Sequence, residues 1–308
     1  MTNNLENFFL PLPQVIRLEP SSLCNFRCRH CTNGLGLNKS LGIMSREVFD
    51  KIFDKIKDYH FRVAVLYHGG EPLLNPDLFY FLERMKKISD FIKMDCNGSL
   101  LTDENINRII VSPLKHLMVS LDGLSPEEND KIRLGSNFEK ISGQLIKLLE
   151  MKRRQKPDLK ITIANVQIPS RDTDISKIEP PPFLLERFAA YLDCFDFCLT
   201  FPYKWPGYPA AVSNQFKRPA RNQCDNIVST ITIRWNGDIV PCCYDIASVM
   251  VLGNIFKQSF SEIWNNEKYL NLRRDINQFH PPPQLCRDCS CSNLYDQTTL
   301  YREDMFYK

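Results

Sequence analysis

Between residues 14 and 201 short apolar runs alternate one by one with amphipathic stretches, and this alternation does most to limit what the chain can fold into. Strand-like runs fall at 15–19, 63–68, 91–96, 116–121, 160–168 and 193–201, and helix-like stretches at 45–58, 77–89, 103–110, 137–154 and 182–192. Ser45 ahead of Arg46 and Glu47, Asp77 after Pro76, and Thr102 ahead of Asp103 and Glu104 are start signals. Val48, Ile52, Phe53 and Ile56 recur at helical spacing, as do Ile141, Leu145, Leu148 and Leu149. Strand, helix, strand in strict order implies parallel pairing through right-handed crossovers. Six such strands make an α/β fold, either a doubly wound sheet or an open barrel, with function at the carboxyl ends of the strands.

Beyond residue 201 the character changes. Pro202, Pro206, Pro209 and Pro219 interrupt residues 202–223, among Tyr203, Trp205, Tyr208 and Phe216, so this stretch reads as a bridge or long loop. Asn236-Gly237 then separates runs at 227–235 and 238–242, a hairpin signal. Residues 259–277 read as one helix, with Phe260, Ile263, Trp264 and Leu270 or Leu272 on its apolar stripe. The expected division is 1–201, a bridge at 202–223, and a smaller unit at 224–308.

Hydrophobic residues at 43% and charged residues at 24% describe an ordinary globular chain. A net charge of +3 gives no reason to expect a nucleic-acid or membrane partner. No run approaches the roughly 18 apolar residues of a membrane span. Residues 1–10 carry Glu6 and no basic segment, so they do not read as an export signal. A cytoplasmic setting is expected, where disulfides are disfavoured, so the 12 cysteines point to metal binding or catalysis.

Cys24, Cys28 and Cys31 share one short loop directly after the first strand. Three thiolates can bind three irons of a 4Fe–4S cube and leave the fourth iron open to a ligand. The amino and carboxylate groups of a methionine moiety suit that position. A structural zinc is the alternative, with His30 as a fourth ligand poorly placed beside Cys31. His68-Gly69-Gly70-Glu71-Pro72 ends the second strand. Its glycines allow close backbone approach, and Glu71 can accept from an ammonium group, although Gly-Gly-Glu-Pro alone is also an ordinary turn.

These motifs resemble the radical S-adenosylmethionine (SAM) superfamily, whose signature C-x-x-x-C-x-x-C follows the first strand of a partial (β/α)6 barrel. The resemblance implies reductive cleavage of S-adenosyl-L-methionine to methionine and a 5′-deoxyadenosyl radical, which removes hydrogen from a C–H bond. It also implies an electron donor such as flavodoxin or ferredoxin. His30 occupies the position before the last cysteine, where the family usually has an aromatic residue near adenine. Gly69, Gly70 and Glu71 resemble the turn that binds the cofactor's amino group. Ser120 resembles the family's contact at the fourth strand end. Arg133 resembles the arginine that pairs with the cofactor carboxylate, a role its planar fork suits. Asp122 supports that site or caps a turn, and Asn97-Gly98 resembles a further family position.

Cys224 and Cys242 flank the expected hairpin, and Cys286 and Cys289 follow as C-x-x-C. Four thiolates make a closed site for zinc or a fully ligated iron–sulfur cube. With Trp235 to Cys243, Leu252-Gly253-Asn254 and Ile263-Trp264, the arrangement resembles the twitch or SPASM extension behind radical SAM barrels, which holds an auxiliary 4Fe–4S cluster. Two clusters in all are therefore expected, with Cys291 a fifth ligand or a bystander. Cys243 is either a buried small residue or, as the resemblance to related epimerases implies, a hydrogen donor to a substrate radical.

On the last barrel strand Cys194, Asp196, Cys198 and Thr200 share one face, which lines the cavity or meets solvent, and Asn165 and Gln167 are further candidates to meet substrate. Cys96 reads as a core thiol. Related twitch enzymes act on aminoglycoside-type sugars and on ribosomal peptides. The short segment before Cys24 favours a small sugar-like or aminocyclitol substrate, undergoing dehydrogenation or epimerisation. A peptide maturase and a non-enzymatic zinc protein are the alternatives.

Overall fold

The structure, a computed structural model, describes residues 5–167, 179–200, 224–278 and 284–287. The bridge at 202–223, Cys289 and Cys291 lie outside the described residues. After a 3-10 turn at Leu5–Phe8 the chain runs β1 (Val15–Leu18), β2 (Arg27–Cys28), α1 (Arg46–Ile56), β3 (Phe61–Val65), α2 (Leu78–Met85), β4 (Ser89–Cys96) and α3 (Asp103–Val111). It continues with β5 (His116–Ser120), α4 (Pro126–Ile132), β6 (Arg133–Leu134), α5 (Phe138–Gln155), β7 (Lys160–Val166), α6 (Pro182–Arg187) and β8 (Asp196–Thr200). The C-terminal part holds α7 (Asp225–Ser229), β9 (Thr230–Ile233), β10 (Asp238–Val240), β11 (Gly253–Asn254), α8 (Phe260–Trp264), α9 (Glu267–Asn277) and α10 (Gln284–Arg287).

One sheet orders these strands β11-β10-β9-β1-β3-β4-β5-β7-β8. From β9 to β8 every neighbouring pair is parallel, the pattern expected when each crossover carries a helix. The main core lies between the sheet and its helices. Phe49, Ile52, Phe53 and Ile56 of α1 are buried there, and Phe49 stacks on Phe81 of α2 with ring centroids 4.1 Å apart. Val48, expected on that stripe, is only half-buried. A second, smaller cluster of Val15, Val63 and Val65, with Tyr67 and Phe91 against it, lies on the opposite face of the sheet. Strand residues alternate between faces, so the same inner face carries Arg17 and Glu19 of the first strand segment and Lys93 of β4.

Ser45 and Thr102 cap their helices as expected, accepting from the Val48 and Asn105 amides. Asp77 makes no such bond; its carboxylate pairs instead with Arg46 at 2.6 Å. Two expectations for the C-terminal part are corrected. Residues 227–229 of the expected 227–235 strand belong to the helix Asp225–Ser229, and pairing begins at Thr230. The helix expected over 259–277 breaks at Asn265, and Asn266 caps a new start by accepting from Tyr269 N–H at 3.0 Å. β9 also pairs in parallel with β1, from Val15 against Thr230 to Leu18 against Ile233, so the hairpin continues the barrel sheet. Asn236-Gly237 turns that hairpin with Gly237 at φ +82°, a conformation glycine adopts without penalty. No described helix is long and apolar enough to cross a membrane.

Candidate active site

The loop between β1 and α1 carries Cys24, Cys28 and Cys31, all half-buried. Cys28 sits in the two-residue strand β2, whose antiparallel partner β6 sets the Arg133 backbone directly beside it. Burial pushes the Cys28 thiol up to about 12; Arg133 opposes this, while Cys31, Asp122 and Cys24 add to it. Burial likewise raises Cys24, against two donors to its sulfur: Phe26 N–H at 3.4 Å and Asn97 Nδ2 at 3.7 Å. The three sulfurs therefore face a common space in which charge on one is felt by the others.

The turn after β3 is pressed against this loop. A Cβ on Gly70 would overlap the carbonyl oxygens of Ser21 and Leu23 and lie 2.7 Å from the Ser22 carbonyl carbon, so only glycine fits. Glu71 N–H donates to Leu23 O at 2.8 Å. The Glu71 carboxylate is buried and accepts from Leu73 N–H at 3.0 Å and Asn97 N–H at 2.7 Å. Burial nevertheless pushes its carboxyl up to about 7. A carboxylate has about four acceptor positions, so capacity for an ammonium group is left. Sequence reasoning missed Asn33 and Asn75. Asn33 Nδ2 donates to Ser22 O at 2.8 Å and also to Gly69 O, tying loop to turn. Asn75 Nδ2 donates to Pro20 O at 2.7 Å and Met44 O at 2.9 Å. Single asparagines in loops carry no sequence signal for such roles.

Arg133 is buried beneath the cysteine loop. Its Nη1 donates to Asp122 Oδ2 at 2.8 Å, and its guanidinium lies 5.6 Å from the Phe26 ring centroid. Burial opposes its charge, but Asp122 and Cys28 hold its pKa above the ordinary arginine value. Its Nε is buried without a partner. Asp122 also accepts Val166 N–H at 3.0 Å, so this carboxylate orients Arg133 and does not cap the turn. His30 Nε2 lies 3.9 Å from Asp122 Oδ2, and burial lowers the His30 pKa, which keeps the ring neutral. Ser120 is half-buried at the end of β5. The donors onto Cys24, the Gly70 cradle and the orphaned Arg133 Nε together fit a cluster on the thiols with a carboxylate-bearing ligand beside it.

On the other side of β1, Cys224 precedes α7, Cys242 follows β10 and Cys286 lies in α10, each half-buried. The Cys243 sulfur is 3.9 Å from Asn226 Oδ1. The Tyr269 phenol is pushed above its ordinary value by burial, with Cys242 adding to the effect.

The residues expected to meet substrate divide. Asn165 is fully buried and its amide donates to Leu121 O at 2.7 Å and Gly123 O at 2.9 Å, so it braces the end of β5. Gln167 donates to Glu179 O at 3.1 Å. Cys194 is buried, 3.2 Å from Arg153 Nε, and precedes the strand. Asp196 is exposed, while Cys198 and Thr200 are half-buried beside Ala164 and Val166 of β7. Cys96 is a core thiol, 4% exposed.

Residues 18–163 match the radical SAM superfamily, and residues 224–290 match the SPASM iron-sulfur cluster-binding domain. The chain is 21% identical to the S-adenosyl-L-methionine-dependent 2-deoxy-scyllo-inosamine dehydrogenase of Niallia circulans, over 90% of this chain and 92% of that protein. It is 23% identical to the tungsten-containing aldehyde ferredoxin oxidoreductase cofactor-modifying protein of Pyrococcus furiosus, over 91% of this chain and 88% of that one. Among solved structures, BtrN in complex with AdoMet and 2-DOIA superposes with a TM-score of 0.60 at 19% identity, covering 91% of this chain and 94% of BtrN. The zinc-protein alternative gives way to these matches. The chain belongs to the radical SAM superfamily: an enzyme of S-adenosyl-L-methionine and 4Fe–4S clusters, with a SPASM domain behind its barrel.

Proposed function

We propose that this enzyme dehydrogenates a small hydroxylated substrate of the sugar or aminocyclitol kind. The observation that carries the reading is the contact between the two cysteine groups' supports. His68, next to the Gly69–Glu71 turn, has its Nε2 3.4 Å from the carbonyl of Cys242. A one-electron acceptor held by Cys242 therefore belongs at the same end of the sheet as the cofactor, where oxidising a substrate radical requires it. The end-to-end similarity to a dehydrogenase of the same class supports the choice.

When bound, the cofactor and first cluster supply a carbon radical that takes hydrogen from a C–H bond, and the auxiliary cluster supplies one-electron redox chemistry. The chain's own residues hold and orient these groups. Cys24, Cys28 and Cys31 take the first cluster, with Phe26 N–H and the Asn97 amide donating toward Cys24. Glu71, in its glycine turn, would receive the cofactor's ammonium, and Arg133, through its free Nε, would take its carboxylate. Asp122 fixes the plane of that guanidinium. Neutral His30 and Ser120 border the same space. Cys224, Cys242, Cys286 and Cys289 are the four ligands of the auxiliary cluster, which leaves its irons closed to substrate.

Incubating the anaerobic enzyme with reductant, the cofactor and a panel of aminocyclitols, sugars and peptides tests the reading. The expected product is lighter by two hydrogens, with one 5′-deoxyadenosine per turnover. In deuterated water it gains no carbon-bound label. A product of unchanged mass that gains one deuteron at carbon is epimerisation and overturns the proposal, as does turnover confined to peptides. Cys243→Ala is expected to keep product formation within about twofold, because its half-buried thiol lies 3.9 Å from Asn226 Oδ1 and a free cysteine commonly packs as a small apolar residue.

A further inference from the structure

A cluster of ionisable groups is buried where three strands end. Glu19 follows β1, His68 follows β3 and Arg234 follows β9, and none of the three side chains is exposed. Glu19 Oε1 is 3.0 Å from His68 Nδ1 and accepts Gly69 N–H at 3.2 Å. Its other oxygen accepts Arg234 Nε at 2.9 Å and Trp235 N–H at 3.3 Å. Arg234 Nη2 and the Trp235 indole both donate to Ser40 O, at 3.0 and 3.3 Å, which reaches the segment after the first cysteine loop. The Cys242 carbonyl, 3.4 Å from His68 Nε2, can only accept, as can the Glu19 carboxylate oxygen 3.0 Å from Nδ1, so both ring nitrogens face acceptors.

Burying such a group costs desolvation that an apolar core would avoid, and what it returns is specific geometry. Here the geometry joins four segments: the end of β1, the glycine turn, the hairpin and the peptide of Cys242. None of these contacts was legible from spacing, since Glu19, His68 and Arg234 are far apart in sequence. Hydrogen bonds around a cluster's ligands are among the levers that set its potential.

We infer that His68, held by Glu19 and Arg234, is a positioning residue that fixes the Cys242 peptide against the cofactor turn and so sets the reduction potential of the auxiliary cluster. This rests on the proposed assignment of Cys242 as a ligand of that cluster. His68 touches neither substrate nor cluster in this role; it acts through the peptide of its neighbour. Losing it releases the Cys242 peptide from the turn, because the carbonyl loses its ring partner.

The test uses the full-length protein with its clusters, in wild-type form and as His68→Leu, His68→Gln and Glu19→Gln. Iron and sulfide per chain are measured first, then the auxiliary potential by redox titration followed by electron paramagnetic resonance. His68→Leu removes both ring contacts and is expected to shift the reduction equilibrium at least tenfold, about 59 mV for one electron. It should also lower product formed per 5′-deoxyadenosine. His68→Gln keeps an N–H within reach of the carbonyl and is expected to recover more than half of the shift. Glu19→Gln should move the potential as well, and it decides the matter with His68→Gln if the leucine variant does not fold. Two clusters in every variant with potentials equal to wild type would overturn this inference alone. A wild-type protein with one cluster would overturn it together with the auxiliary-site assignment.

Discussion

Burial holds the Glu71 carboxyl up at about 7 although two amides donate to it, and this has a consequence for ligand binding. Ammonium recognition needs the carboxylate, which below about 7 is protonated. Cofactor affinity is therefore expected to rise about tenfold per pH unit up to that point and then level off. Equilibrium binding measured from pH 6 to 8 checks this, and Glu71→Gln should bind weakly with a flat profile. The sign for stability runs the other way. A carboxyl raised in the folded state contributes fully below its ordinary 4.5, and that contribution is lost as pH rises through about 7. Arg133→Lys keeps the charge but not the fork or the Asp122 geometry, and at least tenfold weaker cofactor binding is expected by calorimetry. Glu71 and Arg133 were named from the sequence, Glu71 by its motif at a strand end and Arg133 by its place after one. Asp122 was legible as one of two alternatives, whereas Asn33, Asn75 and the Glu19–His68–Arg234 cluster were not, because each gains its role only from a partner brought near by folding.

Elements built on long periodic stretches were readable in the sequence, and short ones were not. Five helices and six strands of the first part appear where alternation placed them, because each must bury one face against the sheet. The error at residues 227–229 has a local cause: Ile227 and Val228 are β-branched and read as strand, yet only Thr230–Ile233 meet β1. The break before α9 is a cap that helical spacing conceals. Asn266 also donates from its amide to Leu252 O at 2.8 Å, so Asn266→Ala is expected to cost about 1 kcal/mol or somewhat more in urea unfolding. Gly70→Ala acts on the turn and the loop together. Its methyl group meets the Ser21–Leu23 backbone, so strain of about 1–3 kcal/mol and loss of iron from the first cluster are expected. Iron analysis with thermal unfolding reads both.

At the scale of the molecule, the parallel pairing of β9 with β1 makes the cluster-bearing hairpin a continuation of the barrel sheet. Arg273 fastens the remainder: 3% exposed, it donates to Ile227 O, Phe8 O, Trp264 O and Asn265 Oδ1, and stacks 4.3 Å over Trp264. Arg273→Ala leaves several buried acceptors unpaired, and a loss of about 3 kcal/mol in urea unfolding is expected. The central claim is narrower than this architecture. It is that Cys24, Cys28 and Cys31 leave one iron free to take the polar end of the cofactor, between Glu71 and Arg133. Electron paramagnetic resonance of the reduced protein, recorded with and without S-adenosyl-L-methionine, tests it most directly. The account expects a signal that changes when the cofactor is added and is absent from Cys28→Ala. The auxiliary cluster's own signal is expected to be indifferent to both; the lack of any cofactor-responsive signal, or a cofactor-responsive signal that survives in that variant, would contradict the claim.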